Sequence, residues 1–151
     1  MSDSIGFCGY DCSRCAARSD DPEVRRKLVE GWRKLFGHQM YTADNVRCDG
    51  CRGGARHADS SCEARPCAES KGLESCALCD EFACPKIRNL LASREGMLVF
   101  LHSRFADVTE EEYRLCARQF ESMPNLVRIL AESGRLPAWT AGARSPEPGG
   151  R

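Results

Sequence analysis

The sequence predicts a mainly α-helical protein with irregular, metal-stabilised cysteine-rich loops, in which a small N-terminal metal-binding module packs on C-terminal helices. Three observations carry that expectation. Only 27 of the 151 residues are Leu, Ile, Val or Phe, below the share of about 20% at which a chain readily forms a core. The shortage is local: residues 38–85 contain just Val46, Leu73, Leu78 and Phe82 as large branched aliphatic or Phe side chains, together with seven of the 11 cysteines. Outside that stretch, apolar residues recur at helical spacing. Ordering a residue costs about 1 to 2 kcal/mol, and four apolar side chains at about 1.5 to 3 kcal/mol each cannot offset that over the middle third. Either that segment is disordered or its cysteines are cross-linked, and cross-linking is the expectation. The organisation follows: a cysteine-rich module over residues 1–84, a helical unit over 85–140 and a disordered tail over 141–151.

The elements follow in order. CGYDCSRC places Cys8, Cys12 and Cys15 at C-x3-C-x2-C spacing. A helix is expected next, with Asp21 as cap, Pro22 at its first position and Glu23 at its positive end. Val24, Leu28, Trp32 and Leu35 recur on one face until Gly37 stops it. That stripe, extended by Val29 and Phe36, reads as core, and Trp32 as a core residue rather than a ligand platform. In CDGCRGG, Cys48 and Cys51 flank a turn whose Gly50 lets backbone N–H groups point at sulfur, the requirement of a metal knuckle. DSSCEARPC (59–67) and CALCDEFAC (76–84) align at an offset of 17 residues, with Asp59 standing where Cys76 stands. The two read as one unit used twice. Cys84 precedes Pro85 and a helical pattern of Ile87, Leu90 and Leu91, which sets its sulfur at a helix N-terminus. His102 is expected at a helix end. Thr109 and Glu112 form a capping-box pattern with Val108 and Tyr113 as the staple, and Tyr113, Cys116, Ala117 and Phe120 trace the buried stripe. Cys116 therefore reads as a core residue. A last helix should begin near Pro124, bury Leu126, Val127, Ile129 and Leu130, and end at Gly134.

Compartment decides how the cysteines are linked. MSDSIGF lacks the basic start and apolar run of a secretion signal, and the longest large apolar run, 97–101, is far too short to span a membrane. A cytoplasmic protein is expected, and there clustered cysteines are metal ligands rather than disulfides. Charge excludes a further class. The chain carries 22 basic and 22 acidic residues, and the cysteine-rich half is slightly acidic before thiolates add to it. No basic face emerges to follow phosphates, so nucleic-acid binding is not favoured. Arg47, Arg52, Arg56 and Arg65 read as solvated surface.

Setting Cys116 aside leaves ten candidate metal ligands. Cys8, Cys12, Cys15, Cys48 and Cys51 form one group, and Cys62, Cys67, Cys76, Cys79 and Cys84 the other, with the choice of four within each left open. His57 and Asp59 are further donors able to complete a shell, although a lone His in a glycine-rich loop is ordinarily solvated. Zn2+, two per chain, is the expected cofactor because it prefers four thiolates at C-x2-C spacings. The alternative is an iron–sulfur cluster, since C-x3-C-x2-C is the spacing of the cluster ligands in radical S-adenosylmethionine enzymes. No barrel pattern follows it, however. A binuclear six-cysteine cluster over 59–84 is disfavoured by Asp59, by the short spacings and by the lack of a basic run.

The ordered motifs CGYDCSRC, GWRKLFG, VRCDGC, CEARPC and CALCDEFACPK resemble the uncharacterised prokaryotic family called domain of unknown function 3795, over about residues 5–91. The resemblance implies a cysteine-rich, metal-binding cytoplasmic domain without an assigned activity. The family pattern has Cys where this chain has Asp59. No phosphate loop, nucleophile elbow or H-E-x-x-H is present, and His38, His57 and His102 are scattered. Asp80 and Glu81 beside Cys79 could serve as a base near a metal, but adjacent loop acids are usually solvated. The expectation is a metal-binding protein that acts as a binding or scaffold module for an unknown protein or small-molecule partner. The rival is a redox or catalytic iron–sulfur protein.

Overall fold

A computed structural model describes residues 4–135; the expected tail at 141–151 lies outside the described residues. Among these, the architecture is helical without strands, and an isolated antiparallel bridge joins Ile5 and Asp11. Six α-helices form: α1 (Pro22–Phe36), α2 (Ala64–Ser70), α3 (Pro85–Arg88), α4 (Arg94–His102), α5 (Glu110–Cys116) and α6 (Ser122–Glu132). Short 3-10 turns occupy Cys12–Arg14, Ala16–Arg18, Cys76–Leu78 and Arg118–Phe120. No helix among the described residues is long and apolar enough to cross a membrane.

Helix α1 has the boundaries its sequence implies. The Asp21 carboxylate accepts from the Glu23 N–H at 2.9 Å, Pro22 opens the first turn, and Gly37 closes the last at φ 72°. Leu28, Val29, Trp32 and Leu35 are buried along one face. The face meets α5, whose start is fastened by the Thr109–Glu112 capping box. The Trp32 indole donates to the Cys116 carbonyl at 2.9 Å. Cys116 is 1% exposed, and its sulfur lies over Gly31, where a Cβ would sit 2.1 Å from it. It is a core residue.

Three apolar clusters hold the chain. The first unites α1 with Val46, Leu101, Tyr113 and Cys116; the second joins Phe7, Cys8, Ala64, Ala68, Cys76 and Ile87; the third joins Ile5 and Ala77 to Leu126, Ile129 and Leu130. Each draws on residues from both sides of Cys84, so the cysteine loops lie directly on the helices. Asn125 donates to the Gly9 carbonyl at 2.9 Å, and the Cys76 N–H donates to the Phe7 carbonyl at 2.9 Å.

Several local expectations are corrected. Helix α5 ends at Cys116, and the following 3-10 turn points Phe120 at the Tyr10, Trp32 and Phe36 rings, with centroids at 5.0, 5.7 and 5.9 Å. Phe120 thus lies beyond α5, yet it still packs on the cluster of Tyr113, Cys116 and Ala117 with which it was expected to be buried. Val127 is 41% exposed, since Leu126, Ile129 and Leu130 already form the i, i+3, i+4 stripe that α6 buries. The pattern at 87–91 yields one helical turn that stops at Arg88, and the Ala92 N–H, which a continuing helix would give to the Arg88 carbonyl, donates instead to the Ser122 hydroxyl at 2.9 Å. The repeat does not fold twice alike. Its first copy runs into α2, whereas its second forms a 3-10 turn and a cap for α3.

Candidate metal centre

The ten candidate cysteines are reduced and fall around two cavities. Six, Cys8, Cys12, Cys15, Cys48, Cys51 and Cys62, line one of about 500 Å³. Four, Cys67, Cys76, Cys79 and Cys84, line another of about 210 Å³. The division differs from the sequence grouping at one residue: Cys62 joins the N-terminal set, because it precedes α2 while Cys67 lies within that helix. As placed, no three His, Cys, Asp or Glu side chains among the described residues close tightly enough to hold an ion.

Backbone hydrogen bonds assemble the first set. The Cys12 N–H donates to the Ser4 carbonyl at 2.7 Å, and the Cys48 N–H donates to the Ala17 carbonyl at 3.0 Å, which brings the two motifs together across α1. Gly50, at φ 90°, points its N–H at the Cys48 sulfur at 3.4 Å, as a knuckle requires. The loop beyond is clasped by Asp49 and Arg56 at 2.9 Å. Gly6 leaves space for sulfur; a Cβ there would lie 3.0 Å from Cys51 Sγ and 3.7 Å from Cys12 Sγ. Burial pushes the Cys8 and Cys15 thiols up to about 12. A hydrogen bond between the Cys12 and Cys51 side chains holds Cys12 down at about 6 and drives Cys51 up. His57 lines this cavity, and its Nδ1 is buried without a hydrogen-bond partner. Asp59 also lines it, but Oδ1 accepts from the Ser61 N–H and hydroxyl at 2.9 and 2.7 Å.

The second set lies between α2, the Cys76–Leu78 turn and α3. Cys84 caps α3, as its Pro85 neighbour implies. Burial raises the Cys76 thiol to about 11. Two ammonium groups approach the sulfurs: Lys71 Nζ lies 3.6 Å from Cys79 Sγ, and Lys86 Nζ lies 3.3 Å from Cys67 Sγ. Sequence reasoning missed both lysines, and no local spacing links Lys86 to Cys67, 19 residues away. Asp80 and Glu81 are exposed and ion-paired to Arg135 and Lys71. Asp80 lies outside both cavities, whereas Glu81 lines the second one but is held there by Lys71 rather than left as a free base.

Of the four arginines read as surface, three are committed within the chain: Arg47 to Asp20 at 2.6 Å, Arg52 to the Ile5 carbonyl at 2.8 Å, and Arg56 to Asp49. A family model described as "Protein of unknown function (DUF3795)" matches residues 4–89. No curated protein and no solved structure matches the chain.

Proposed function

The chain belongs to the DUF3795 family, whose description carries no activity, and from that premise we propose that it is a metal-binding domain whose thiols hold two zinc ions in structural sites. The observation that carries the reading is the second set. Four cysteines line one small cavity, and two lysine ammoniums lie against two of their sulfurs. Four thiolates around Zn2+ would leave a charge of −2, which Lys86 offsets in part and Lys71, shared with the Glu81 carboxylate, offsets further. Structural zinc of this kind supplies folding energy, on the order of 10 kcal/mol in small peptides, and no redox chemistry. That is the stability residues 38–85 lack.

In the first set, four donors drawn from Cys8, Cys12, Cys15, Cys48, Cys51, Cys62 and His57 would hold the other ion. Three features suit it: soft sulfur donors, the glycine at position 6 that leaves room beside Cys51, and the unpartnered His57 nitrogen. The thiols that burial keeps protonated must release those protons as the set closes, so metal retention is tied to pH. On this reading the protein is a cytoplasmic binding or scaffold module, for a partner protein or small molecule, that works through the surface the metals hold in shape.

One observation favours a second reading. Six thiols around about 500 Å³ exceed what one tetrahedral ion uses, and an iron–sulfur cluster would occupy more of that space. Anaerobic purification separates the two. A colourless protein with about two zinc per chain is expected, whereas brown protein carrying iron and acid-labile sulfide would overturn the zinc reading. Protein with no metal that melts as a cooperative unit would overturn both.

A further inference from the structure

Beside its thiols the larger cavity is lined by Trp32, Tyr41 and Phe120; Trp32, expected only as a core residue, is 5% exposed and belongs both to the core and to this wall. Trp32 and Tyr41 meet edge-on with ring centroids 5.2 Å apart, and Phe120 lies 5.7 Å from Trp32. Gln119 lines the same space and is 2% exposed. Its Nε2 donates to the Cys116 carbonyl at 3.2 Å and approaches that of Leu115 at 3.5 Å, which orients the amide and leaves Oε1 buried without a partner. A buried acceptor left unpaired costs about 1 to 3 kcal/mol, and a donor on a bound molecule would remove that cost. Arg65, half-buried, lines the cavity too and has no carboxylate partner among the described residues. Its fork is free for an anionic group.

We propose that this cavity binds a small planar heteroaromatic molecule carrying an N–H donor and an anionic group, the chemistry of a nucleoside monophosphate. The ring packs on the Trp32, Tyr41 and Phe120 wall, its amino group donates to Gln119 Oε1, and Arg65 holds the anion. The cavity, about 500 Å³ before the thiol wall takes its ion, lies in the range of about 300 to 1,000 Å³ typical of small-molecule sites. Stacking on aromatic side chains is worth about 1 to 3 kcal/mol per base. The inference goes beyond the metal reading and rests on groups outside both thiol sets.

The test is calorimetric titration of the full-length protein, as purified with its metal, with adenosine 5′-monophosphate, adenosine and inorganic phosphate. The monophosphate should bind about tenfold or more tightly than either fragment. Arg65→Ala should reduce it to the affinity of adenosine while leaving adenosine unchanged, and Gln119→Leu should weaken both by about tenfold. No binding of the monophosphate at millimolar concentration, equal binding of phosphate, or an unaltered Arg65→Ala variant would overturn the proposal. Should Gln119→Leu fail to fold, the Arg65→Ala comparison decides alone. Metal content measured on the same samples judges the metal reading separately.

Discussion

Gly31 sits in the middle of α1 directly beneath the Cys116 sulfur, and replacing it with alanine tests how that cysteine is used. A Cβ at position 31 would lie 2.1 Å from Cys116 Sγ but 3.6 Å from its Cβ. The first distance cannot be accommodated without moving α1 away from α5; the second is ordinary contact. Alanine by itself favours the helix over glycine by about 1 kcal/mol, but overpacking a core costs about 1 to 3 kcal/mol or more. The sub-contact distance places this case at the upper end, so Gly31→Ala should destabilise by about 2 kcal/mol net. For a chain of this size that lowers Tm by about 4 to 8 °C. Cys116→Ala removes the obstructing sulfur and should cost about 1 kcal/mol alone. The double variant should then recover to within about 1 kcal/mol of the parent, a coupling of about 2 kcal/mol in a double-mutant cycle followed by urea unfolding. Cys116→Ala and the double variant should retain the parent's metal content, because Cys116 lies outside both thiol sets and neither change forces α1 away from α5. A double variant no more stable than Gly31→Ala would refute the packing argument, and metal lost with Cys116→Ala would refute the assignment of that thiol to the core.

Serine at Cys67 should remove one metal equivalent and leave the first set loaded, whereas serine at Cys48 or Cys51 should remove the other and melt the N-terminal loops; metal per chain and thermal unfolding measure both. Burial raises Cys8 and Cys15 to about 12 and Cys76 to about 11, so protons compete strongly for these sulfurs. Metal should be lost as pH falls from 7 toward 5 and retained as it rises to 9; retention independent of pH under a chelator would contradict thiolate ligation. The Asp49 carboxyl, hydrogen-bonded by Arg56, is held from its usual 3.8 down to about 2. Because its folded value is depressed, its contribution to stability is present above pH 3.8 and lost as pH falls through about 2, and the 59% exposure of its partner Arg56 keeps that contribution small. Its NMR titration midpoint should return toward 3.8 in Arg56→Gln.

The thiols and the helices depend on one another in this chain. Cys8 and Cys76 are themselves part of the apolar cluster that includes Ile87 and Phe7, so the sulfurs close the core of the middle segment as well as lining cavities. Cys12 and Cys51 belong to motifs 39 residues apart, yet both sulfurs lie beside Gly6, 3.7 and 3.0 Å from where its Cβ would be. The Cys48 N–H bond to the Ala17 carbonyl makes that approach possible. A variant that loosens α1 is therefore expected to disturb the first set even where no sulfur is changed.

What the sequence by itself determined was whatever a few neighbouring residues decide. Asp21, Pro22 and Gly37 bound α1, Thr109 and Glu112 start α5, Gly50 aims an N–H at the Cys48 sulfur, and Cys116 falls on a buried stripe; each rests on contacts within about four residues along the chain. Only the tertiary structure decided which cavity Cys62 faces, that the aligned segments 59–67 and 76–84 fold differently, that Lys86 reaches Cys67, and that Gln119 and Arg65 line one space with Trp32. Those pairings join segments from 19 to 87 positions apart, and no local propensity records them. They arise because three separate apolar clusters must close at once, and the position of each sulfur and each cavity wall is what that packing leaves.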